Sequence, residues 1–129
     1  RLDAGYLESG DSVVTAASWY GATMRPLTMD HKIEGHKEIF ELGNGKITAY
    51  HCPGHSPGSL VYTAQLKNHK ILFGQDVHGP LDPSLLSSRE DYERSLKFMM
   101  GLNADILCEG HFGVYKGNNN INRFIKSFL

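Results

Sequence analysis

The sequence predicts an α/β (α+β) fold in which two β-hairpins are followed by a helix, a strand and a last helix. Two turn signals, Gly43-Asn44-Gly45 and Lys67-Asn68-His69, each separate a pair of short extended segments, which is typical of antiparallel hairpins. Apolar residues then recur at helical spacing in residues 92–102 and 121–128. With two helices predicted before the hairpins, the expected order is helix, helix, hairpin, hairpin, helix, strand, helix.

The amino-terminal part is predicted to be helical. Residues 2–8 form a short helix, and Asp11 is well placed to cap a second helix that runs through about Trp19. Residues 22–34 follow no period and contain Pro26, so a loop is expected there.

The strands are short. Residues 38–42 and 46–51 form the first hairpin, and residues 60–66 and 70–74 form the second. The outgoing strand of the second hairpin delivers Asp76 just beyond its end.

The two later helices have recognisable starts. Ser88 followed by Asp91 resembles a capping box with Asp in place of Glu, and the helix that it begins extends to Leu102. Its apolar residues are interpreted as core packing. A short strand is expected at residues 105–108. Asn120 or a neighbour caps the closing helix, whose apolar face consists of Ile121, Phe124, Ile125 and Phe128.

The composition argues against several function classes. A chain of 129 residues can bury one modest core, and 40% hydrophobic and 21% charged residues are near globular averages. The formal net charge of -1 gives no electrostatic footprint for a polyanion, so nucleic acid is not an expected partner. No apolar run approaches the roughly 20 residues that span a bilayer, so no membrane partner is expected either.

The ends and the cysteines give weaker indications. The first residues lack the apolar stretch of a signal peptide, so a cytoplasmic location is expected. The chain begins with Arg1 rather than methionine, and a segment upstream is expected to be missing.

Cys52 and Cys108 are too few for a disulfide framework. Both are predicted to be reduced, and a small hydrophobe at a strand end is favoured over a ligand or a reactive thiol.

Three short motifs place metal-type ligands near strand ends. They are P-G-H-S-P-G-S around His55, G-Q-D ending at Asp76, and E-G-H ending at His111. The two Pro-Gly pairs hold His55 in a rigid turn, which leaves little entropy to lose on metal binding. Taken singly, each histidine could be a solvated turn residue, and Asp76 could be a helix cap or half of an ion pair. Their wide separation in sequence argues against a local zinc finger and requires a fold to bring them together.

In this order the motifs resemble the carboxy-terminal half of the metallo-β-lactamase superfamily. The resemblance implies that residues 1–129 are a partial metallo-β-lactamase-like domain, one half of an αββα sandwich with a mainly antiparallel sheet covered by helices. The upstream H-x-H-x-D-H segment of the superfamily is absent, and its nearest counterpart is Asp30-His31 followed by His36. One lactamase subclass has cysteine where Asp76 stands, so the chain looks more like the glyoxalase-II-like and general hydrolase branch.

The resemblance also implies a site. His55 would bind the first metal, Asp76 would bridge two metals and His111 would bind the second. The metal would be zinc, or iron or manganese, binuclear in the parent protein and at most one ion in this chain. No catalytic residue is assigned in this chain, and the implied substrate contacts are His78, Phe112 and Tyr115.

The implied parent protein is a metal-dependent hydrolase. In it a metal-bridging hydroxide attacks an ester, thioester or similar bond of a small-molecule substrate, and the isolated chain is expected to be inactive or weakly metal-binding. A bare sheet face is implied as well, so a homodimer or association with the missing amino-terminal half is expected. Two alternatives stay open: a non-catalytic binding or assembly module with the same fold, and a metal-dependent nuclease.

Overall fold

Six strands form one sheet in sequential order in the computed structural model, which describes residues 1–129. The strands are β1 (Lys37–Leu42), β2 (Gly45–His51), β3 (Leu60–Leu66), β4 (His69–Gln75), β5 (Ile106–Glu109) and β6 (Gly113–Lys116). The helices are α1 (Ala4–Ser9), α2 (Arg89–Gly101) and α3 (Asn118–Lys126), with short 3₁₀ helices at Ala17–Tyr20 and Pro83–Leu85. Neighbouring strands are antiparallel except β4 and β5, which are parallel because α2 lies in the connection between them. The predicted α/β fold with a mainly antiparallel sheet is confirmed.

Both predicted hairpins are present. At their turns Leu42 pairs with Gly45, and Leu66 pairs with His69. Strand β4 ends one residue before Asp76, as the sequence predicted.

The later part of the chain follows the prediction with two differences. The Ser88 hydroxyl accepts a hydrogen bond from the Asp91 amide at 3.3 Å and so caps α2, as predicted. The cap of α3 is Gly117 rather than Asn120, where a φ of 84° turns the chain out of β6. Strand β6 was not predicted, because it follows the Glu109-Gly110-His111 turn, after which no further strand was expected.

The prediction of a second amino-terminal helix beginning at Asp11 is wrong. The Asp11 carboxylate does accept hydrogen bonds from the amides of Val13 and Val14, each at 2.9 Å. The chain then leaves helical geometry at Ala16, where φ is 59°, and only a four-residue 3₁₀ helix follows. Three consecutive β-branched residues after Ser12 explain the failure, because such side chains disfavour a helix. The loop predicted for residues 22–34 is confirmed.

One face of the sheet is covered by α2 and α3. The largest side chains buried in this layer are Leu72, Leu96, Leu107, Ile121 and Ile125. Cys52 belongs to the same core, and burial raises the pKa of its thiol to about 12 against a smaller opposing effect of Ser95. Its thiol is therefore neutral and acts as a small buried hydrophobe, as predicted.

The opposite face is apolar and partly open. Residues that pair across neighbouring strands point to the same side of a sheet, and one row on this face runs from β2 to β6 through Ala49, Tyr62, Phe73, Cys108 and Val114. The amino-terminal segment lies over another part of the face, where the His31 ring packs edge-on against Phe40 at 5.6 Å. Phe73 remains 42% exposed and Val114 60% exposed.

None of the helices could cross a membrane. The longest, α2, has 13 residues, and no helix combines the length and the apolar character that a span requires.

Candidate metal centre

The ends of β2, β4 and β5 meet at one edge of the sheet, because these three strands run in the same direction. The segment after β2 carries His55, Asp76 follows β4 directly, and His111 lies just beyond β5. The fold thus brings together the three residues that the sequence predicts as metal ligands.

The Asp76 carboxylate lies between the two histidines. Its Oδ2 is 3.3 Å from His55 Nε2, and its Oδ1 is 3.2 Å from His111 Nε2. In a tetrahedral zinc site with bonds of about 2.1 Å, neighbouring ligand atoms lie about 3.4 Å apart. Each histidine nitrogen and the carboxylate oxygen that faces it would therefore be suitably spaced to hold a cation together.

His55 is fixed in one orientation. Its Nδ1 lies 2.8 Å from the carbonyl oxygen of Pro80. A carbonyl only accepts, so Nδ1 donates. Nε2, the other ring nitrogen, is thereby turned toward the Asp76 carboxylate. Gly54 holds the loop against α2, where an added Cβ would lie 2.3 Å from Tyr92 Cα.

A residue near the amino terminus supports the same loop. The Asp3 carboxylate accepts a hydrogen bond from the Gly58 amide at 2.7 Å and another from the Ser56 hydroxyl. Sequence reasoning missed Asp3, because the contact spans 55 residues and follows no motif. The hydroxyl of Ser56 also bonds the Ser59 hydroxyl at 2.9 Å, so Ser56 has a structural role in the loop.

Asp76 sits in a cradle that only glycine permits. A Cβ at Gly110 would lie 2.5 Å from Asp76 Oδ1 and 3.1 Å from the carbonyl oxygen of Gln75. The Gly110 amide donates to that same carbonyl at 2.8 Å. The close approach places the carboxylate beside the His111 loop, and the donor set of two imidazoles and one carboxylate suits zinc, iron or manganese.

A second group of metal-type side chains adjoins the first. Ligand atoms of Asp76, His78 and Glu109 all lie within 4.8 Å of one another. His78 Nδ1, however, donates to Glu109 Oε1 at 2.7 Å, and Glu109 Oε2 accepts from the amides of His111 and Phe112 at 2.7 Å each. Burial alone would raise the pKa of Glu109, but these hydrogen bonds outweigh it and hold the pKa below its ordinary value. Glu109 is thus an ionised acceptor whose oxygens are already occupied by protein donors.

The three residues predicted to contact substrate form a chain of aromatic contacts. The His78 ring centroid is 5.1 Å from that of His111 and 4.7 Å from that of Phe112, so both side chains adjoin the centre. Tyr115 lies on the helix-covered face, where its ring stacks on Phe124 at 4.0 Å, and the Phe112 ring is 6.5 Å from that same Phe124 ring.

A cavity of about 200 Å³ opens beside His55. Polar groups of Ser56 and Gln75 face it together with an apolar wall of Tyr6, Leu7, Val14 and Leu85. A smaller cavity of about 20 Å³ adjoins both His55 and Asp76.

Comparisons with known proteins place this geometry in a known architecture. No family profile matches the sequence, and no curated protein matches it. Solved structures do match. An archaeal metallo-β-lactamase superfamily protein from Sulfolobus tokodaii is 22% identical with a TM-score of 0.68, over 96% of this chain and 54% of that one. A metallo-β-lactamase with a HARLDQ motif from Cronobacter sakazakii is 16% identical with a TM-score of 0.75, over 99% and 57%.

A third example points the same way. The metallo-β-lactamase GOB-18 from Elizabethkingia meningoseptica is 21% identical with a TM-score of 0.67, over 98% of this chain and 58% of that one. Nearly the whole chain is superimposed in all three cases, yet it spans little more than half of each matched structure. The chain therefore has the fold of one half of a metallo-β-lactamase superfamily domain, consistent with the carboxy-terminal half.

Proposed function

We propose that this chain is the metal-binding carboxy-terminal half of a metal-dependent hydrolase that cleaves an ester, thioester or similar bond in a small molecule. One observation carries the proposal: each oxygen of the Asp76 carboxylate faces the Nε2 atom of a different histidine, His55 on one side and His111 on the other, at 3.3 and 3.2 Å. A carboxylate suits this place, because its two oxygens can each bind one cation and its charge offsets theirs.

The roles of the side chains follow from their chemistry. His55 and His111 supply neutral nitrogen ligands, and Asp76 supplies the negative charge. A divalent ion bound there lowers the pKa of a water molecule and polarises the substrate oxygen, which is the chemistry of hydrolysis. His78 and Phe112, which adjoin His111, are the side chains that we assign to substrate contact.

We propose that the isolated chain is inactive or binds metal only weakly. Its sequence contains no H-x-H-x-D-H segment, so three protein ligands remain. Three ligands with an open position can hold one zinc ion, and we propose at most one ion per chain. Zinc is the first choice, with iron or manganese as alternatives.

Elemental analysis of the purified chain tests the proposal. We expect about one zinc, iron or manganese per chain, and Asp76→Ala should lower zinc affinity at least about 100-fold, because it removes the ligand between both histidines. Asp30→Ala is the matched control, since it removes a carboxylate from the Asp30-His31 pair and should leave metal content unchanged. A metal-free wild type, or an Asp76→Ala variant that keeps its metal, would refute the assignment.

We further propose that a second copy of the chain covers the open apolar face of the sheet. The row through Phe73 and Val114 is the kind of surface that is rarely left in water, and two copies joined by a two-fold axis would stack two sheets, as in a sandwich. Light scattering should give twice the chain mass of 14.4 kDa. Phe73→Glu should yield monomers, whereas Tyr20→Glu, at a residue 78% exposed, should not. A monomeric wild type excludes the homodimer.

The finer assignment of location is also a proposal. Cys52 and Cys108 are both free, which fits a reducing compartment such as the cytoplasm. Fractionation of the native cells with an antibody to the chain would test it, and recovery outside the cytoplasmic fraction would contradict it.

A further inference from the structure

Glu109 joins the two loops that carry Asp76 and His111. Its side chain has 0% solvent exposure and lies at the end of β5. On one side, Oε1 accepts from His78 Nδ1 at 2.7 Å and more distantly from the His78 amide at 3.4 Å. On the other side, Oε2 accepts from the amides of His111 and Phe112, each at 2.7 Å. One carboxylate therefore binds donors from the segments that follow β4 and β5.

These contacts fix the direction of the His111 backbone. A buried carboxylate without hydrogen bonds would be costly, so its donors stay in place. The amides of His111 and Phe112 both point at Oε2, which sets the turn that brings the His111 ring to Asp76. Removing the carboxylate would leave two amides without an acceptor and free the turn.

The same carboxylate orients the His78 ring. Oε1 accepts a hydrogen bond from His78 Nδ1 at 2.7 Å, so Nδ1 carries a proton. The ring packs edge-on against His111 and Phe112, with centroids 5.1 and 4.7 Å away. The His78 ring is thereby fixed beside a predicted metal ligand.

We propose that Glu109 is a positioning residue of the metal centre, which orders the His111 loop through two backbone amides and orients the His78 ring through its Nδ1–H. The inference rests on the proposed function of the centre. It adds a role for a side chain that binds neither metal nor substrate. Outer partners of this kind change metal affinity by about 10- to 100-fold when they are removed.

NMR of the metal-free chain tests the positioning directly, through the ¹H shifts of backbone amides and the ¹⁵N shifts of histidine rings. In the wild type we expect the amide protons of His111 and Phe112 far downfield, and long-range ¹⁵N spectra should show His78 protonated at Nδ1. Glu109→Gln should move both amide protons upfield and weaken the hydrogen bond from His78 Nδ1. Glu41→Gln, at an exposed side chain, is the control and should change neither signal.

Zinc titrations of the same proteins supply the second readout. Glu109→Gln should weaken zinc binding about 10- to 100-fold, and Glu109→Asp, which keeps the charge, should recover part of that loss. A Glu109→Gln protein with unchanged zinc affinity and unchanged amides overturns the inference. So does a wild-type His78 ring without a proton on Nδ1, whether or not the variants fold. If the wild type binds no zinc, the proposed function fails, while the NMR spectra still decide whether Glu109 orders the two loops.

Discussion

The two histidines that flank Asp76 are held in different ways. The side chain of His55 is 18% exposed, and its ring is bonded through Nδ1 to Pro80, in a loop that Asp3 ties down. The side chain of His111 is 59% exposed. Its backbone amide donates to Glu109, and its ring contacts only the side chains of His78 and Asp76. Of the two predicted ligands, His55 is the less exposed and the one whose ring bonds a backbone carbonyl.

This difference indicates how the two histidines would share the metal affinity of the predicted centre. Fixing a free side chain on binding costs conformational entropy, whereas a side chain that is already fixed has little left to lose. His55 should therefore contribute more to the affinity of the isolated chain than His111. The exposed His111 ring is the part of the centre that a bound metal would have to order.

Two glycine substitutions, one in each loop, should have the largest effects and so test the difference between the loops most strongly. Gly54→Ala should cost about 3 kcal/mol of folding free energy, because its φ of 139° is a glycine conformation and its Cβ would strike the Tyr92 backbone. Gly110→Ala should cost less stability, because its Cβ meets chiefly the movable Asp76 carboxylate at 2.5 Å. It should instead weaken zinc binding, by about tenfold for a displaced ligand. Urea unfolding and zinc titration of both variants measure the two effects.

Gly101→Ala is the control for this pair. Its Cβ would meet nothing within 4 Å at the end of α2, so stability should change by less than about 1 kcal/mol. Equal losses of stability in Gly54→Ala and Gly110→Ala would show that the two loops are equally rigid, and the comparison would fail.

The parts of the fold that sequence predicts well are those with local signals. The Gly43-Asn44-Gly45 turn and the Ser88 cap each depend on a few neighbouring residues, and both lie where they were expected. Strand β6 and the failed helix after Asp11 depend on competition between weak preferences. Strand β6 lies in a segment without a strand signal of its own, and the cap of Asp11 could not overcome the β-branched residues behind it.

The residues of the site also divide into those with a local sequence signal and those without one. His55, Asp76 and His111 could be placed at one edge because each stands in a motif at a strand end. Asp3 could not be found, because its contact with Gly58 arises only when α1 folds against the loop. The packing of Tyr115 on Phe124 depends on the alternation of side chains along β6, which places neighbouring residues on opposite faces. Face assignments of this kind require the strand to be known first.

Replacing each histidine in turn sharpens the comparison of the two loops. His55→Ala should lower zinc affinity about tenfold more than His111→Ala, a difference of about 1.4 kcal/mol, because the fixed ring is the one that binds without an ordering cost. Competition with a chromophoric chelator measures both affinities. His69→Ala, at the exposed first residue of β4, is the control and should bind zinc as the wild type does. A larger loss from His111→Ala would reverse the ranking.

The smallest effect should come from Asp3, which acts on zinc only through the His55 loop. Asp3→Ala would leave the Gly58 amide and the Ser56 hydroxyl without their acceptor, at a cost of about 1 to 2 kcal/mol in stability. Zinc affinity should fall by about threefold, because the ring of His55 keeps its bond to Pro80 while the turn beneath it loosens. Glu34→Ala, which removes an exposed carboxylate near Arg1, is the matched control for lost charge and should change neither quantity. Unchanged zinc affinity in a destabilised Asp3→Ala protein would mean that the two Pro-Gly pairs hold His55 without help from α1.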